Sequence, residues 1–249
     1  MITNPASGTS LHEIAPGIYR INTPVAVPGG PSFNFNQYLL AGDEPLLFHT
    51  GPRRLFPLVA GAIGAVLPLA TLRYVAFSHF EADECGALND FLAAAPRAVP
   101  VCSRVAAMVS VNDVADRPAR ALADGEMLET GRHRLRWLDT PHVPHGWDSG
   151  LMMELETRTL LCGDLFTQPS GAMPLTEGDI LGPSEAFRAE MDYYAHAPRT
   201  AAVIGRLAAE KPAVLACMHG SAWRGDGAAL LRALGESLAA RPLREARAA

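Results

Sequence analysis

Lysine is almost missing from this 249-residue chain: of its 21 basic residues only Lys211 is a lysine. Together with the abundance of alanine, that reads as genomic compositional bias rather than a recognition device. Basic charge is in deficit overall, at −5 with a pI near 5.9, which argues against nucleic-acid binding through a broad basic surface. Cysteine is sparse, with Cys85, Cys102, Cys162 and Cys217 widely spaced and no CxxC pair. That excludes a dense disulfide framework and points to reduced thiols in a cytoplasmic protein. Uninterrupted apolar runs are missing too. The longest, around Leu55 to Leu72, is broken by Pro57, Gly61, Gly64 and Pro68, so no membrane span is expected. The N-terminus has neither a basic n-region nor an apolar h-region, so no signal peptide is expected. The phosphate-cradling patterns GxGxxG and GxxxxGK[ST] and the nucleophile elbow GxSxG are also lacking.

What is present suits a globular fold. The chain is 49% hydrophobic and 19% charged, enough to bury a sizeable core, and its 22 glycines and 20 prolines supply many tight loops. No repeat, low-complexity tract or shift in composition divides it, so residues 1–249 read as a single domain. Strands are predicted at Ile18–Asn22, Asn36–Ala41, Pro45–His49, Leu72–Phe77, Val99–Cys102, Met127–Glu129 and His133–Asp139. Leu151–Glu156 and Thr159–Cys162 read as a hairpin about a Thr157–Arg158 turn, and Ala213–Met218 as the last strand. Helices are predicted at Arg54–Val66, at Asp83–Ala94 with Asp83 capping its first turn, and in a short piece near Arg104–Val109. After a polar loop at Thr167–Pro183, further helices are expected at Ser184–Ala195, Thr200–Lys211 and Gly227–Ala239. Strands then helices, twice over, predict an α/β protein of two packed sheets with helices outside, not a doubly wound sheet.

Chemistry gathers where strands end. Ser78-His79-Phe80-Glu81-Ala82-Asp83-Glu84-Cys85-Gly86 offers four metal-competent side chains just past a buried strand. Period-two alternation puts His79 and Glu81 on one side, with Asp83 and Glu84 opening a helix. The competing reading is a solvated acidic helix start. Other strand ends weaken that reading. Leu161-Cys162-Gly163-Asp164 places a carboxylate after a strand, and Ala216-Cys217-Met218-His219-Gly220 places an imidazole after another. Pro141-His142-Val143-Pro144-His145-Gly146-Trp147-Asp148-Ser149 adds two histidines between strands.

These segments resemble the metallo-β-lactamase-fold di-iron proteins. The zinc-hydrolase pattern of that superfamily is HxHxDH, whereas His79-x-Glu81-x-Asp83-Glu84 matches the first three positions of the HxExDH pattern of flavodiiron proteins. His145-Gly-Trp-Asp-Ser is similar to their HWPDS segment, Gly163-Asp164 also matches, and His219-Gly220-Ser221-Ala222-Trp223 resembles SHGxxW. The nearest group is the oxygen-binding di-iron protein family, which has this domain without a flavodoxin module. The resemblance implies a four-layer αββα sandwich with a dinuclear site at one edge of the sheets. It implies that His79, Glu81 and His145 bind one iron, that Asp164 bridges, and that Asp83 and His219 bind the second. Glu84 stands where flavodiiron proteins have His; it coordinates, hydrogen-bonds to a metal-bound water or points away.

The donor chemistry agrees independently: three imidazoles and four carboxylates form an oxygen-rich set suited to iron or manganese, although zinc competes for such a site. The function expected is a non-haem di-iron protein that binds, senses or reduces dioxygen or nitric oxide. Electrons would come from a donor protein, with no flavin in the chain, and a homodimer is expected by analogy. The alternative is a dinuclear metal-dependent hydrolase with an attacking bridging hydroxide. His142 is the alternative to His145 as ligand, or a hydrogen-bonding neighbour of the centre, and the HGWDS match favours His145. Tyr193 and Tyr194 offer a hydrogen bond or a redox-active phenol, against packing on a helix face. Cys85 lies beside the ligands, and alternation turns Cys162 and Cys217 towards them, against a reading of all three as packing residues. His49 reads as a satisfied structural histidine, and His12, His133 and His196 as surface or packing residues.

Overall fold

The computed structural model describes residues 1–27, 29–30, 32–170 and 173–240. Among them, β1 (Ile2–Asn4), β2 (Thr9–Ala15), β3 (Ile18–Val25), β4 (Phe33–Leu40), β5 (Leu46–Phe48), β6 (Tyr74–Ala76), β7 (Val99–Ser103) and β8 (Arg120–Leu122) form one sheet in sequential order. The other sheet holds β9 (Met127–Glu129), β10 (Arg134–Asp139), β11 (Gly150–Glu154), β12 (Thr159–Leu161), β13 (Leu175–Thr176), β14 (Val214–Ala216) and β15 (Ala222–Arg224), in the order β13-β15-β14-β12-β11-β10-β9. The parallel pairings β5–β6, β6–β7 and β12–β14 require crossovers, and helices provide them. They include α1 (Phe56–Gly64), α2 (Ala82–Cys85), α3 (Leu88–Ala94), α4 (Arg104–Ala106), a π-helical turn at Ala107–Val111, α5 (Asn112–Val114), α6 (Leu181–Met191), α7 (Thr200–Ala209) and α8 (Gly227–Ala240).

Three apolar layers hold four layers of structure together. Ile18, Tyr38, Phe48, Trp137, Met152 and Leu161 meet between the two sheets. Leu47, Val75, Phe77 and Phe91 pack the first sheet on α1 and α3, while Leu151, Met153, Ile204 and Leu231 pack the second on α7 and α8. Successive residues of β5 and β6 therefore face two different cores. This is why Leu46–Phe48 and Tyr74–Ala76 read as continuous apolar runs rather than alternating ones. The expected sandwich of two sheets with helices outside is the observed architecture.

Local expectations fail where tertiary contacts compete. The helix predicted over Asp83–Ala94 is two helices, α2 and α3. The loop after β5 takes the groups between them: Thr50 N–H donates to the Glu84 carbonyl (2.7 Å), and Ala87 N–H donates to the Thr50 hydroxyl (3.0 Å). Asp83 does not cap; Glu81 occupies the cap position without a side-chain bond, and the Asp83 carboxylate turns to His219. Helix α6 runs earlier than predicted and stops at Asp192, whose φ is 49°, so Tyr193 and Tyr194 lie beyond the helix rather than on its face. The hairpin turn takes four residues, 155–158, with Glu154 opposite Thr159. Strands β1, β2, β8, β13 and β15 were not anticipated; β13, β8 and β15 are two or three residues long, too short for a period to register.

Candidate metal centre

Loops leaving the same edge of both sheets converge on one spot. His79 and Glu81 follow β6, His145 lies between β10 and β11, Asp164 follows β12, and His219 follows β14. Glycine makes two of these exits possible. Gly163 has φ +51°, and a Cβ there would lie 3.1 Å from the Ser78 hydroxyl. Gly220 has φ +89°, and its Cβ would lie 2.6 Å from Gln168. The seven predicted ligands meet. His79 Nε2 and His145 Nε2 are 3.0 Å apart, and both lie near Asp164 Oδ2, at 3.6 and 3.4 Å. Glu81 Oε1 is 3.3 Å from His145 and 3.8 Å from His79. On the other side, His219 Nε2 is 3.3 Å from Asp83 Oδ2 and 3.4 Å from Asp164 Oδ1. Asp164 thus turns one oxygen to each group, and Glu84 joins both: its carboxylate groups with His79 and Glu81 and also with Asp83 and His219.

Contacts behind the rings set their tautomers. His145 Nδ1–H donates to the Tyr193 carbonyl and His219 Nδ1–H to the Asn34 carbonyl, both at 2.8 Å. His79 Nδ1–H donates to Ser78 Oγ (2.9 Å), whose hydroxyl donates to His49 Nε2 (3.0 Å), while His49 Nδ1–H reaches the Met218 sulfur (3.0 Å). Each of these rings therefore turns its Nε2 into the cluster, the orientation that metal-bound histidines have. Two ring nitrogens 3.0 Å apart must share either a proton or a metal ion between them.

The carboxylates carry the same message. Glu84 is fully buried, and neither of its oxygens has a hydrogen-bond partner; Asp164 Oδ1 lacks one too. Burial, with Asp164 and Asp83 nearby, pushes the Glu84 carboxyl well above the usual range. Burial opposes charge on Asp164 as well, but the imidazoles, His219 foremost, hold its pKa below the ordinary value. His145 and His79 hold Glu81 down to about 2. His219 is desolvated, yet the facing carboxylates of Asp164 and Asp83 push it up to about 10. Orphaned oxygens and inward-facing ring nitrogens are what a pair of divalent cations satisfies.

The family described as ODP family beta lactamase matches residues 33–194, nearly two thirds of the chain. The chain belongs to this family. The curated relatives of this ODP-family chain include proteins with functional names. It is 26% identical over 201 residues to the rubredoxin-oxygen oxidoreductase of Megalodesulfovibrio gigas, covering 77% of this chain and 49% of that protein. It is 24% identical over 209 residues to the anaerobic nitric oxide reductase flavorubredoxin of Pectobacterium atrosepticum, covering 80% and 40%. The chain spans 23% to 49% of the length of the curated relatives it matches. Among solved structures, the metal-soaked Flv1 flavodiiron core of Synechocystis superposes with a TM-score of 0.77 at 22% identity, covering 93% of this chain and 61% of that one. The metallo-β-lactamase fold read from the motifs is the fold of this ODP-family chain.

The neighbours expected around the ligands divide. Cys85 donates its thiol to the Glu81 carbonyl (3.2 Å), and burial pushes its pKa up to about 12, so it braces a ligand's backbone as a neutral thiol. Tyr193 is half-buried; its carbonyl holds His145, and its hydroxyl donates to the Asp164 carbonyl (3.4 Å). Tyr194 is buried against Tyr193, away from the ligands, and its hydroxyl has no partner. His142 is exposed on a backbone with φ 65°, and no contact joins its ring to the cluster among the described residues. Cys162 and Cys217 face the layer between the second sheet and its helices, 3.7 Å apart, rather than the cluster; packing is their role. Asp148, the acid of the HGWDS segment, was overlooked. It is buried and accepts the Phe80 amide (2.9 Å), pinning the loop between His79 and Glu81.

Proposed function

We propose that the cluster holds two iron ions and that the protein binds, senses or reduces dioxygen or nitric oxide, using electrons from a donor protein. In this reading His79, Glu81 and His145 hold one ion, Asp83 and His219 the other, and Asp164 joins them. Glu84 is a further ligand. The observation that carries the reading is the buried carboxylate of Glu84, without a hydrogen-bond partner, set between the imidazoles of His79 and His219. The donor set favours iron over zinc, because four of its seven members are carboxylates. Bound iron supplies the one-electron steps that dioxygen and nitric oxide require.

The chain's own residues do the rest. Tyr193, Asn34 and Ser78 hold each imidazole as the Nε2 base. Burial of Asp164, Glu84 and His219 excludes bulk water from one side, while half-exposed Glu81 marks the open side. There a groove of about 370 Å³, lined by Phe80, Glu81 and Leu88 among others, meets the cluster at Glu81. The substrates in the names of the relatives, oxygen and nitric oxide, support this reading.

Anaerobic loading with ferrous iron, elemental analysis and admission of oxygen under an absorption spectrometer test it. Uptake near two irons per chain with a new visible band on oxygenation is expected. Zinc retained in preference to iron, with ester or phosphoester turnover, overturns it in favour of the hydrolase.

A further inference from the structure

Beyond β14 the chain leaves its sheet, and the carbonyls of Cys217, Met218 and Gly220, which bracket His219, lose ladder partners. Buried carbonyls need donors from elsewhere. All three find them on the opposite sheet. Asn36 N–H donates to the Met218 carbonyl (2.9 Å), and the Asn36 side-chain amide donates to both Cys217 O and Gly220 O, each at 2.8 Å. The Tyr38 hydroxyl donates to Cys217 O and Arg20 Nη2 to Gly220 O, both at 2.7 Å. Asn22 donates to Asn36 Oδ1 (2.8 Å), which fixes which way the Asn36 amide faces.

These four side chains form two cross-strand pairs, Arg20 with Tyr38 and Asn22 with Asn36, on the face where Ile18 and Leu40 enter the core between the sheets. Arg20 is 2% exposed and Asn36 fully buried, so desolvation opposes their presence there. Strand β4 also grips the His219 ring itself: the Asn34 carbonyl takes its Nδ1–H, Phe33 lies tilted over it at 4.4 Å, and Phe35 meets it edge-on at 5.4 Å.

We propose that Asn36, backed by Arg20 and Tyr38, is a positioning residue that holds His219 at the second metal position. This rests on reading the cluster as a metal centre. Loosening the Cys217–Gly220 backbone displaces the His219 Nε2 relative to Asp83 and Asp164 but leaves His79, Glu81 and His145 on their own loops. The second metal is therefore the one that Asn36 governs.

The full chain, loaded anaerobically with cobalt(II), tests this through metal count, chelator-competition affinities and the visible cobalt spectrum. In Asn36→Leu the second affinity should fall about 10- to 100-fold, leaving about one cobalt per chain after desalting, with the first-site spectrum retained. Tyr38→Phe removes one donor at nearly constant volume and serves where Asn36→Leu does not fold; its second affinity should fall by less. Leu39→Val, on the same strand but facing the outer helices, should lower the melting temperature and keep both metals. Two cobalts held at wild-type affinity in both Asn36→Leu and Tyr38→Phe overturn the inference alone. So does loss of the second metal in Leu39→Val. Wild-type protein that takes up no cobalt overturns the metal-centre reading itself.

Discussion

Two buried clusters of histidine and carboxylate occupy opposite ends of β10 and β11, and they differ in how their charges are met. At one end His133 Nδ1 lies 3.4 Å from Glu154 Oε1, and His133 Nε2 lies 3.2 Å from the Ala41 carbonyl. The Glu154 oxygens also accept the amides of Glu156 (3.3 Å) and Thr157 (2.7 Å). Every oxygen there is used, by groups of the hairpin turn and the neighbouring strand. At the other end Glu84 is as deeply buried, yet neither oxygen has a hydrogen-bond partner, and the imidazoles turn their Nε2 atoms into the same cluster. Burial alone marks neither function nor structure. A satisfied buried acid closes a turn, whereas an unsatisfied one surrounded by bases reserves space for a cation.

The sharpest way to break this contrast is Asp164→Ala, which should empty both metal positions, because Asp164 turns one oxygen to each side. Elemental analysis reads it, and one retained metal would show that Asp164 does not bridge. Next, Glu154→Ala should cost about 3–5 kcal/mol in urea unfolding, since it strands the groups that met the acid, while metal content stays at the wild-type value. Burial would raise the Glu154 pKa, but His133 and Thr157 hold it at about 2, below the ordinary 4.5. Its stabilisation is therefore complete above pH 4.5 and disappears as pH falls through about 2, so the Glu154→Gln variant should show a flatter acid limb of stability. Glu84→Gln should act in the opposite sense, stabilising the metal-free protein by roughly 1–3 kcal/mol and weakening metal uptake. Destabilisation of the metal-free protein by that change would place Glu84 with Glu154 as a structural acid. The smallest effect belongs to Tyr193→Phe. His145 is held by the carbonyl of Tyr193, not its ring, so both metals should remain by elemental analysis.

The same contrast explains what could be read in advance. The candidate ligands were legible because they stand in short, information-rich segments that follow or join strands, such as Ser78–Gly86 or His145–Ser149. The buried strands β5 and β6 were legible as apolar runs. Helix limits near the site were not, because the loop after β5 takes the backbone bonds that would have continued α2 into α3. Arg20, Asn22, Asn36 and Tyr38 also escaped notice, although a signal existed. Polar residues in phase with Ile18 and Leu40 break the apolar face of β3 and β4, and a polar residue in a core phase implies a buried partner.

By itself the sequence determined the layered α/β class, through runs of apolar strands and their intervening helices, and the inventory of seven histidines and carboxylates that the fold brings together. Both are local matters of periodicity and of residue type beside a turn. Only the tertiary structure decided that Asp164 faces two groups at once, that Glu84 points inward without a partner, and that β4 grips His219 from the opposite sheet. Those facts join positions up to 185 residues apart, as in the bond from His219 to Asn34, and no local pattern encodes such a distance. They follow from packing two sheets face to face, which brings the loop ends of separate strands to one edge and leaves their polar groups to find one another.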